Sequence, residues 1–270
     1  MTAAAIPDPL PDLRRRIAAI GSDGGLRALA AAPLPVPLGH AGVDRALGGG
    51  LLRTGLHELQ PAAPGDAGAA TGFALACAAR LAGQRPWLWV RQDQAGRESG
   101  EPYGPGLAAL GLAPEALTLV AARDATGVLR AAEEGLRCRG LGAVLAEPWG
   151  DPRALDMTAL RRLVLAAEAG VPALLLRSGG HGGPSGALTR WTLAAAPGAP
   201  QPARGIGLPA VVATLSRCRQ PSAGGGGPLS WTLEWNPDER LFREPAPARP
   251  GAAAAGDRPA AAAAGLRHAG

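Results

Sequence analysis

The sequence predicts an α/β fold, with a mainly parallel sheet flanked by helices, then C-terminal antiparallel strands and a disordered tail. Apolar runs bounded by Gly or Pro recur between residues 55 and 177, and helical patterns separate them. Such runs are typical of parallel strands that are covered on both faces. Later strand-like segments have no helices between them, which favours antiparallel pairing.

Composition divides the chain into four predicted segments. Residues 1–35 form an N-terminal helical and linker segment, with a short helix expected over 11–20 before a Pro-punctuated stretch. Residues 36–195 form the α/β core, and 196–244 form a β extension. Residues 245–270 are rich in Pro, Ala and Gly and are expected to be disordered, because they cannot bury enough apolar surface.

The core contains five predicted strands. They are "GLHEL" (55–59), "WLWV" (87–90), "LTLVAA" (117–122), "AVLAE" (143–147) and "ALLLR" (173–177). The last three are continuous apolar runs, so we expect them at the centre of the sheet with both faces covered.

Two of the predicted helices differ in how they meet solvent. "TGFALACAARLAG" (71–83) is apolar on nearly every side, which predicts a helix buried against the sheet. In "TGVLRAAEEGLRCRG" (126–140), Glu133 and Glu134 lie within one turn of Arg137. We therefore expect a solvated face stabilised by ion pairs at helical spacing.

A third helix and three late strands complete the prediction. "DMTALRRLVLAAEAG" (156–170) begins at a capping Asp156 and places four apolar side chains on one face, namely Met157, Leu160, Val164 and Ala167. "RWTLAAA", "AVVATLSRC" and "LSWTLEW" should pair antiparallel, either extending the sheet or forming a small lobe. Trp231 and Trp235 lie four residues apart on the last strand, so both rings should share one face. We expect that face to be buried against the core, and an exposed docking patch is the alternative.

Charge and cysteine content restrict the class of protein only weakly. The net charge is +5, and all 27 basic residues are arginine, which permits an acidic partner without requiring one. The three cysteines are widely spaced and match neither a disulfide framework nor a zinc site, and the four histidines lack metal-ligand spacing. We expect a cytoplasmic protein without a metal, a membrane span or an export signal.

Residues 55–92 have the order of a phosphate-binding unit: strand, Gly-rich turn, helix, strand. The P-loop pattern G-x-x-x-x-G-K-[ST] needs glycine N–H groups and a lysine around the phosphates. If Thr71 is the hydroxyl position, Ala70 replaces the lysine, Ala69 the second glycine and Pro64 the first. The chain has no lysine at all, so we expect neither a nucleotide cofactor nor catalysis.

"PLGHAGVDRALGGGLLRTGLHELQP" resembles the start of the RecA core, and "WLWVRQD", "GLGAVLAEPWGD" and "VPALLLRSGG" follow in the same order. Because the lysine is absent, the chain is most similar to the ImuA family of RecA-like bacterial proteins, which is related to the division inhibitor SulA. The ending "VVATLSRCRQPSAGGGGPLSWTLEWNPDERLF" is also similar to that family. The resemblance covers about residues 36–243 and implies a RecA-like sheet.

The resemblance also implies roles for particular residues. Asp93 and Glu147 stand where RecA-type ATPases place a water-activating carboxylate and a Walker B acid. Without the loop chemistry, we expect both to be strand-end carboxylates. "RSGGHGGPSGALTRW" follows a core strand where relatives place a DNA-facing loop, so Arg177, His181 and Arg190 are candidate nucleic-acid contacts. A plain mobile connection is the alternative.

The implied function is that of a non-catalytic accessory factor in error-prone translesion synthesis during the SOS response to DNA damage. The implied partners are an ImuB-type Y-family-like protein and an error-prone replicative-type polymerase subunit, with DNA contacted directly or through them. Two other functions remain open at this point: a SulA-like division inhibitor acting on FtsZ, and an ATPase with an atypical loop.

Overall fold

The computed structural model describes residues 34–180, 183, 185–198, 207–220 and 227–245. The predicted helix over 11–20 lies outside this part of the chain, and so does nearly all of the predicted tail. Among the described residues, no helix combines the length and apolar character needed to cross a membrane.

One nine-stranded sheet organises the described residues. Its strands are β1 (Leu56–Pro61), β2 (Trp87–Gln92), β3 (Leu117–Ala122), β4 (Val144–Glu147), β5 (Ala173–Leu176), β6 (Thr189–Ala196), β7 (Ala210–Cys218), β8 (Leu229–Asn236) and β9 (Leu241–Arg243). Across the sheet they follow the order β3-β2-β4-β5-β1-β6-β7-β8-β9. The first six in that order are parallel, and β7 to β9 continue antiparallel. The predicted α/β class is confirmed.

Helices cover both faces of the parallel strands. They are α1 (Ala41–Ala46), α2 (Ala67–Ala82), α3 (Asp93–Ser99), α4 (Gly104–Ala109), α5 (Ala125–Arg137) and α6 (Met157–Glu168), with short 3-10 helices at Pro64–Asp66 and Pro114–Ala116. α2 packs on the face that carries Trp89, whereas α5 and α6 pack on the face that carries Val90. Alternate residues of a strand point to opposite faces, which produces two apolar layers.

α2 is buried on most of its surface, as its sequence predicts. The sheet covers one side, and the antiparallel strands bring aromatic residues against another. The ring of Phe73 lies 5.5 Å from that of Trp191 and 5.0 Å from that of Phe242, measured between centroids. Trp235 is buried and Trp231 is half-buried against the same layer, so the predicted inward orientation of both tryptophans is confirmed.

Two strand predictions need correction. β3 is an edge strand, not a central one, and Thr118, Leu119 and Ala121 are exposed. An apolar run shows that a strand is β-prone but does not show which neighbours it has. β6 pairs antiparallel with β7, as predicted, but it also pairs parallel with β1 and so closes the parallel half. The late strands therefore extend the sheet and do not form a separate lobe.

Two helix predictions also need correction. Glu133 is buried, and its carboxylate accepts a hydrogen bond from Arg162 of α6 at 2.6 Å, so it does not belong to a solvated face. Only Glu134 pairs with Arg137 on the surface of α5. In α6, Asp156 caps the helix by accepting from Ala159 N at 2.8 Å, as predicted, but Met157 is exposed because it precedes the packed turns.

Candidate functional site

The connection between β1 and α2 occupies the place of a phosphate-binding loop. It is short: two alanines, the 3-10 helix Pro64–Asp66, and then α2. The Asp66 carboxylate accepts hydrogen bonds from Ala63 N at 3.1 Å and from Ala195 N of β6 at 2.8 Å. A negative side chain therefore sits at the helix N-terminus, where backbone N–H groups otherwise favour a phosphate.

The loop positions identified in the sequence offer a phosphate little to bind. Pro64 is exposed and has no N–H to donate, Ala70 is buried, and Ala69 and Thr71 are half-buried in the first turns of α2. No basic residue occurs from Gln60 to Ala79. The charge of the connection is therefore opposite in sign to the charge that a triphosphate requires.

A cleft of about 390 Å³ lies beside this connection, at the carboxyl ends of β1 and β5. Its polar groups are uncharged: the Gln60 amide donates to Thr192 Oγ1 at 3.3 Å, and Gln60 Oε1 is buried without a hydrogen bond from another described residue. Gly179 and Gly180 form the opposite wall. The cleft is large enough for a small ligand, but it has no cation to hold a phosphate.

Glu147 ends β4 and is fully buried among donors from neighbouring strands. Its Oε2 accepts from Arg91 Nε at 2.7 Å and from Trp89 Nε1 at 3.0 Å, and its Oε1 accepts from Ser178 Oγ at 3.2 Å. Burial raises the pKa of this carboxyl, and Arg91 acts in the opposite direction. Both of its oxygens are therefore engaged within the protein.

Arg91 makes further contacts besides its ion pair with Glu147. Its Nη1 donates to Gly100 O at 2.9 Å, and its guanidinium lies 4.7 Å from the ring centroid of Trp89. Asp93 opens α3 immediately after β2 and is half-buried. It lines a separate cleft of about 220 Å³ together with Arg91 and Arg97. Asp93 and Glu147 thus occupy the predicted strand ends, each beside an arginine.

A second buried carboxylate, Glu58, lies in the middle of β1 and joins three strands. Its Oε1 lies 2.6 Å from Arg177 Nε, and its Oε2 accepts from Arg190 Nη2 at 3.1 Å. Arg190 also donates to Gly183 O. An ionised carboxylate in the interior requires such partners, because its desolvation is costly.

These contacts change the interpretation of the residues that the sequence predicted to contact nucleic acid. Arg177 is buried, and its guanidinium would have to leave Glu58 in order to meet a phosphate. Arg190 is half-buried and is likewise engaged, whereas His181 lies outside the described residues. The loop as a DNA contact stays a prediction, but two of its three candidate side chains already have internal partners.

His57 is of a residue type that is common in active sites, but here it is buried and both ring nitrogens have partners inside the protein. It is fully buried, with Nδ1 2.9 Å from Thr189 Oγ1 and Nε2 2.9 Å from Leu52 O. Burial lowers the pKa of His57 to about 4, so the ring is neutral at physiological pH. The sequence contains a pattern from which the internal partners of His57 and Glu58 could have been predicted. The strand "LHEL" places polar side chains among apolar ones, and buried polar groups need partners.

Within the described residues, no group of three or more His, Cys, Asp or Glu side chains is arranged to hold a metal ion. Comparison of the sequence with protein-family models and with curated proteins finds no match. The fold, the connection after β1 and the two buried carboxylates are the features that bear on the class of protein.

Proposed function

We propose that this protein is a non-catalytic, RecA-like accessory factor of error-prone translesion DNA synthesis in the SOS response. The observation that carries the non-catalytic part is the Asp66 carboxylate at the N-terminus of α2, in a connection without any basic residue. Phosphoryl transfer depends almost entirely on positioning and on neutralising charge. A site that presents a carboxylate instead of a lysine has neither.

The accessory role rests on the resemblance of residues 36–243 to the ImuA family. A nucleotide fold that lacks nucleotide chemistry retains surfaces for other proteins, and function then follows from those contacts. The proposed partners are an ImuB-type Y-family-like protein and an error-prone replicative-type polymerase subunit, in the cytoplasm. The buried pairs of Glu58 and Glu147 support the proposal, because both carboxylates are paired with arginines inside the protein and so serve to stabilise the scaffold.

Nucleotide binding tests the non-catalytic part. Titration calorimetry with ATP and magnesium should show no appreciable heat of binding, and a phosphate-release assay should show no turnover above buffer. Thr71→Ala serves as the site variant, and Thr118→Ala on the exposed edge strand β3 serves as its control. Micromolar ATP affinity that is lost in Thr71→Ala but kept in Thr118→Ala would show an atypical ATPase.

A genetic experiment tests the accessory role. After DNA damage, deletion of the gene should lower mutant frequency to that of a strain lacking the partner polymerase, and overproduction should leave cell length nearly normal. A SulA-like inhibitor of FtsZ predicts the reverse: filaments on overproduction and unchanged mutagenesis on deletion. Scoring both quantities in one damage exposure separates the two functions.

A further inference from the structure

Three arginines converge beside the C-terminal end of α2, on the side of the molecule away from the Asp66 connection. Arg80 lies in the last turn of α2, and its Nε and Nη2 donate to Pro37 O at 3.2 and 2.7 Å. Arg53 precedes β1 and donates to Leu81 O, next to Arg80. Together with Arg240, these two residues form the arginine cluster (Arg53, Arg80 and Arg240).

Arg240 reaches this place from the turn between β8 and β9. The next residue, Leu241, packs so closely on Gly39 that a Cβ added to that glycine would lie 2.7 Å from Leu241 Cβ. Gly39 also has a φ of +103°, which glycine adopts without strain. The segment 37–39 therefore accepts hydrogen bonds from Arg80 and also packs against Leu241, the residue that follows Arg240.

A carboxylate accompanies the cluster but is itself engaged with the backbone. The Asp44 carboxylate lies beside it, but its two oxygens already accept from Leu38 N at 2.7 Å and Gly39 N at 3.0 Å. Partial burial lowers the pKa of Arg80; Asp44 opposes this effect, and the neighbouring Arg240 and Arg53 add to it. Neighbouring like charges favour the binding of an anion, because the anion relieves their repulsion.

An open cleft with an aromatic wall adjoins the cluster. It measures about 490 Å³ and is lined by His40, Ser230, Trp231, Thr232, Glu244 and Pro245. His40 directly follows Gly39, and its ring caps α1 by accepting from Val43 N at 3.3 Å. Trp231 is half-buried, and a Cβ at Gly42 would lie 2.9 Å from its Nε1, so the glycine admits the indole to this position.

We propose that the arginine cluster and the His40–Trp231 cleft together bind single-stranded nucleic acid. The guanidiniums would contact successive phosphates, and a base would stack on the accessible part of Trp231 beside His40. Non-specific single-strand binding combines these two elements, a positively charged track and an aromatic platform. The loop with Arg177 and Arg190 lacks both, because its arginines bind Glu58 and its tryptophan, Trp191, is buried.

Acidic residues border the proposed binding surface. Glu244 lines the cleft, and Asp238 and Glu239 are exposed in the turn that carries Arg240. Among the described residues, Asp44 is the acidic side chain whose charge acts on Arg80, which lies between α2 and the Gly39 segment. Single-strand binding at this surface would be independent of the polymerase partners proposed above, and it would give the protein a direct contact with DNA.

Fluorescence anisotropy with a labelled oligo(dT) strand tests the proposal. The double variant Arg53→Gln/Arg240→Asn should lower the slope of log affinity against log salt by about 1.4, the value for two lost single-strand phosphate contacts. Trp231→Ala should weaken oligo(dT) binding about tenfold, the scale of one stacked base, and leave the binding of inorganic polyphosphate unchanged. Melting temperatures of all variants establish that they are folded.

The matched control is Arg130→Gln/Arg153→Gln, which removes two exposed arginines from the opposite face of the sheet. This variant should bind oligo(dT) like the unmodified protein. Equal losses in both double variants would overturn the proposal in favour of diffuse charge attraction. Absence of oligo(dT) binding at low salt, or a Trp231→Ala variant that binds oligo(dT) normally, would also overturn it.

Discussion

Two sets of arginines in this protein differ in whether they form ion pairs with buried carboxylates. Arg91, Arg177 and Arg190 each contact a buried glutamate, either Glu147 or Glu58. In the arginine cluster, Arg80 has Asp44 and two further arginines as charged neighbours, and the oxygens of Asp44 are already engaged with backbone N–H groups. The first set neutralises buried carboxylates in the sheet, and the second consists of half-buried arginines that none of the described ion pairs includes.

The difference shows that the function of an arginine follows from its partners and not from its position in a motif. In the sequence, Arg177 and Arg190 stand in a glycine-rich loop and suggest a phosphate contact. Arg53, Arg80 and Arg240 stand in unremarkable contexts. Arginine keeps its proton at all accessible pH values, so a buried one must be paired, whereas a half-exposed one can await an external anion.

Breaking the interior set should have the largest effect. Glu58→Gln leaves Arg177 and Arg190 without their carboxylate and should lower the free energy of unfolding by about 3–5 kcal/mol. Urea denaturation at neutral pH measures this change. The control is Glu101→Gln: the carboxylate lies 3.6 Å from Arg91 but is 74% exposed, so its loss should change stability by only a few tenths of a kcal/mol. Equal effects of the two variants would contradict a structural role for Glu58.

His57 sharpens the comparison, because a buried group that can lose its proton does not need a counter-charge. Its pKa falls from 6.5 to about 4 on folding, which corresponds to about 3 kcal/mol. Between these values the unfolded chain binds the proton and the folded protein does not, so stability should fall as pH drops from 6.5 to 4.

Urea titrations across this pH range, on the protein and on His57→Gln, measure the effect. The variant should lose the part of the pH dependence that the histidine contributes. An unchanged slope between pH 6.5 and 4 in His57→Gln would mean that another group titrates there.

The surface set should respond to Asp44→Asn with a smaller, salt-dependent loss. The amide retains an acceptor for one backbone N–H, but the charge beside Arg80 disappears, and we expect about 1 kcal/mol of destabilisation. The loss should shrink in 1 M salt, because screening weakens the guanidinium repulsion. Thermal denaturation at two salt concentrations tests this, with Asp238→Asn in the nearby exposed turn as the control of equal charge. Equal, salt-independent losses would refute the electrostatic explanation.

The smallest expected effect is a stabilisation. Among the described non-glycine residues, only Arg240 has a positive φ, at 55°, a conformation that glycine tolerates better. Arg240→Gly also removes one charge from the arginine cluster, so we expect a gain of about 0.5 kcal/mol, read as a rise in melting temperature. Arg85→Gly, at a position without positive φ, should lower the melting temperature instead. A fall in both variants would show that the Arg240 side chain stabilises its turn.

Local patterns predicted much of the fold. "LTLVAA" matches β3 residue for residue, and the Asp156 cap matches the start of α6, because strand propensity and helix capping depend on neighbours along the chain. The same patterns failed where neighbours in space decide. The edge position of β3 and the burial of Glu133 depend on which elements pack beside them.

The sequence by itself determined the α/β class, the succession of strands and helices, and the absence of lysine from the connection after β1, because these are properties of residue type and spacing. Only the tertiary structure decided which charges meet. Glu58 and Arg190 are 132 residues apart, and Asp66 reaches a backbone N–H that lies 129 residues away. Electrostatic and hydrogen-bond partners are selected by distances of a few ångströms between strands, and no local pattern in the chain encodes those distances.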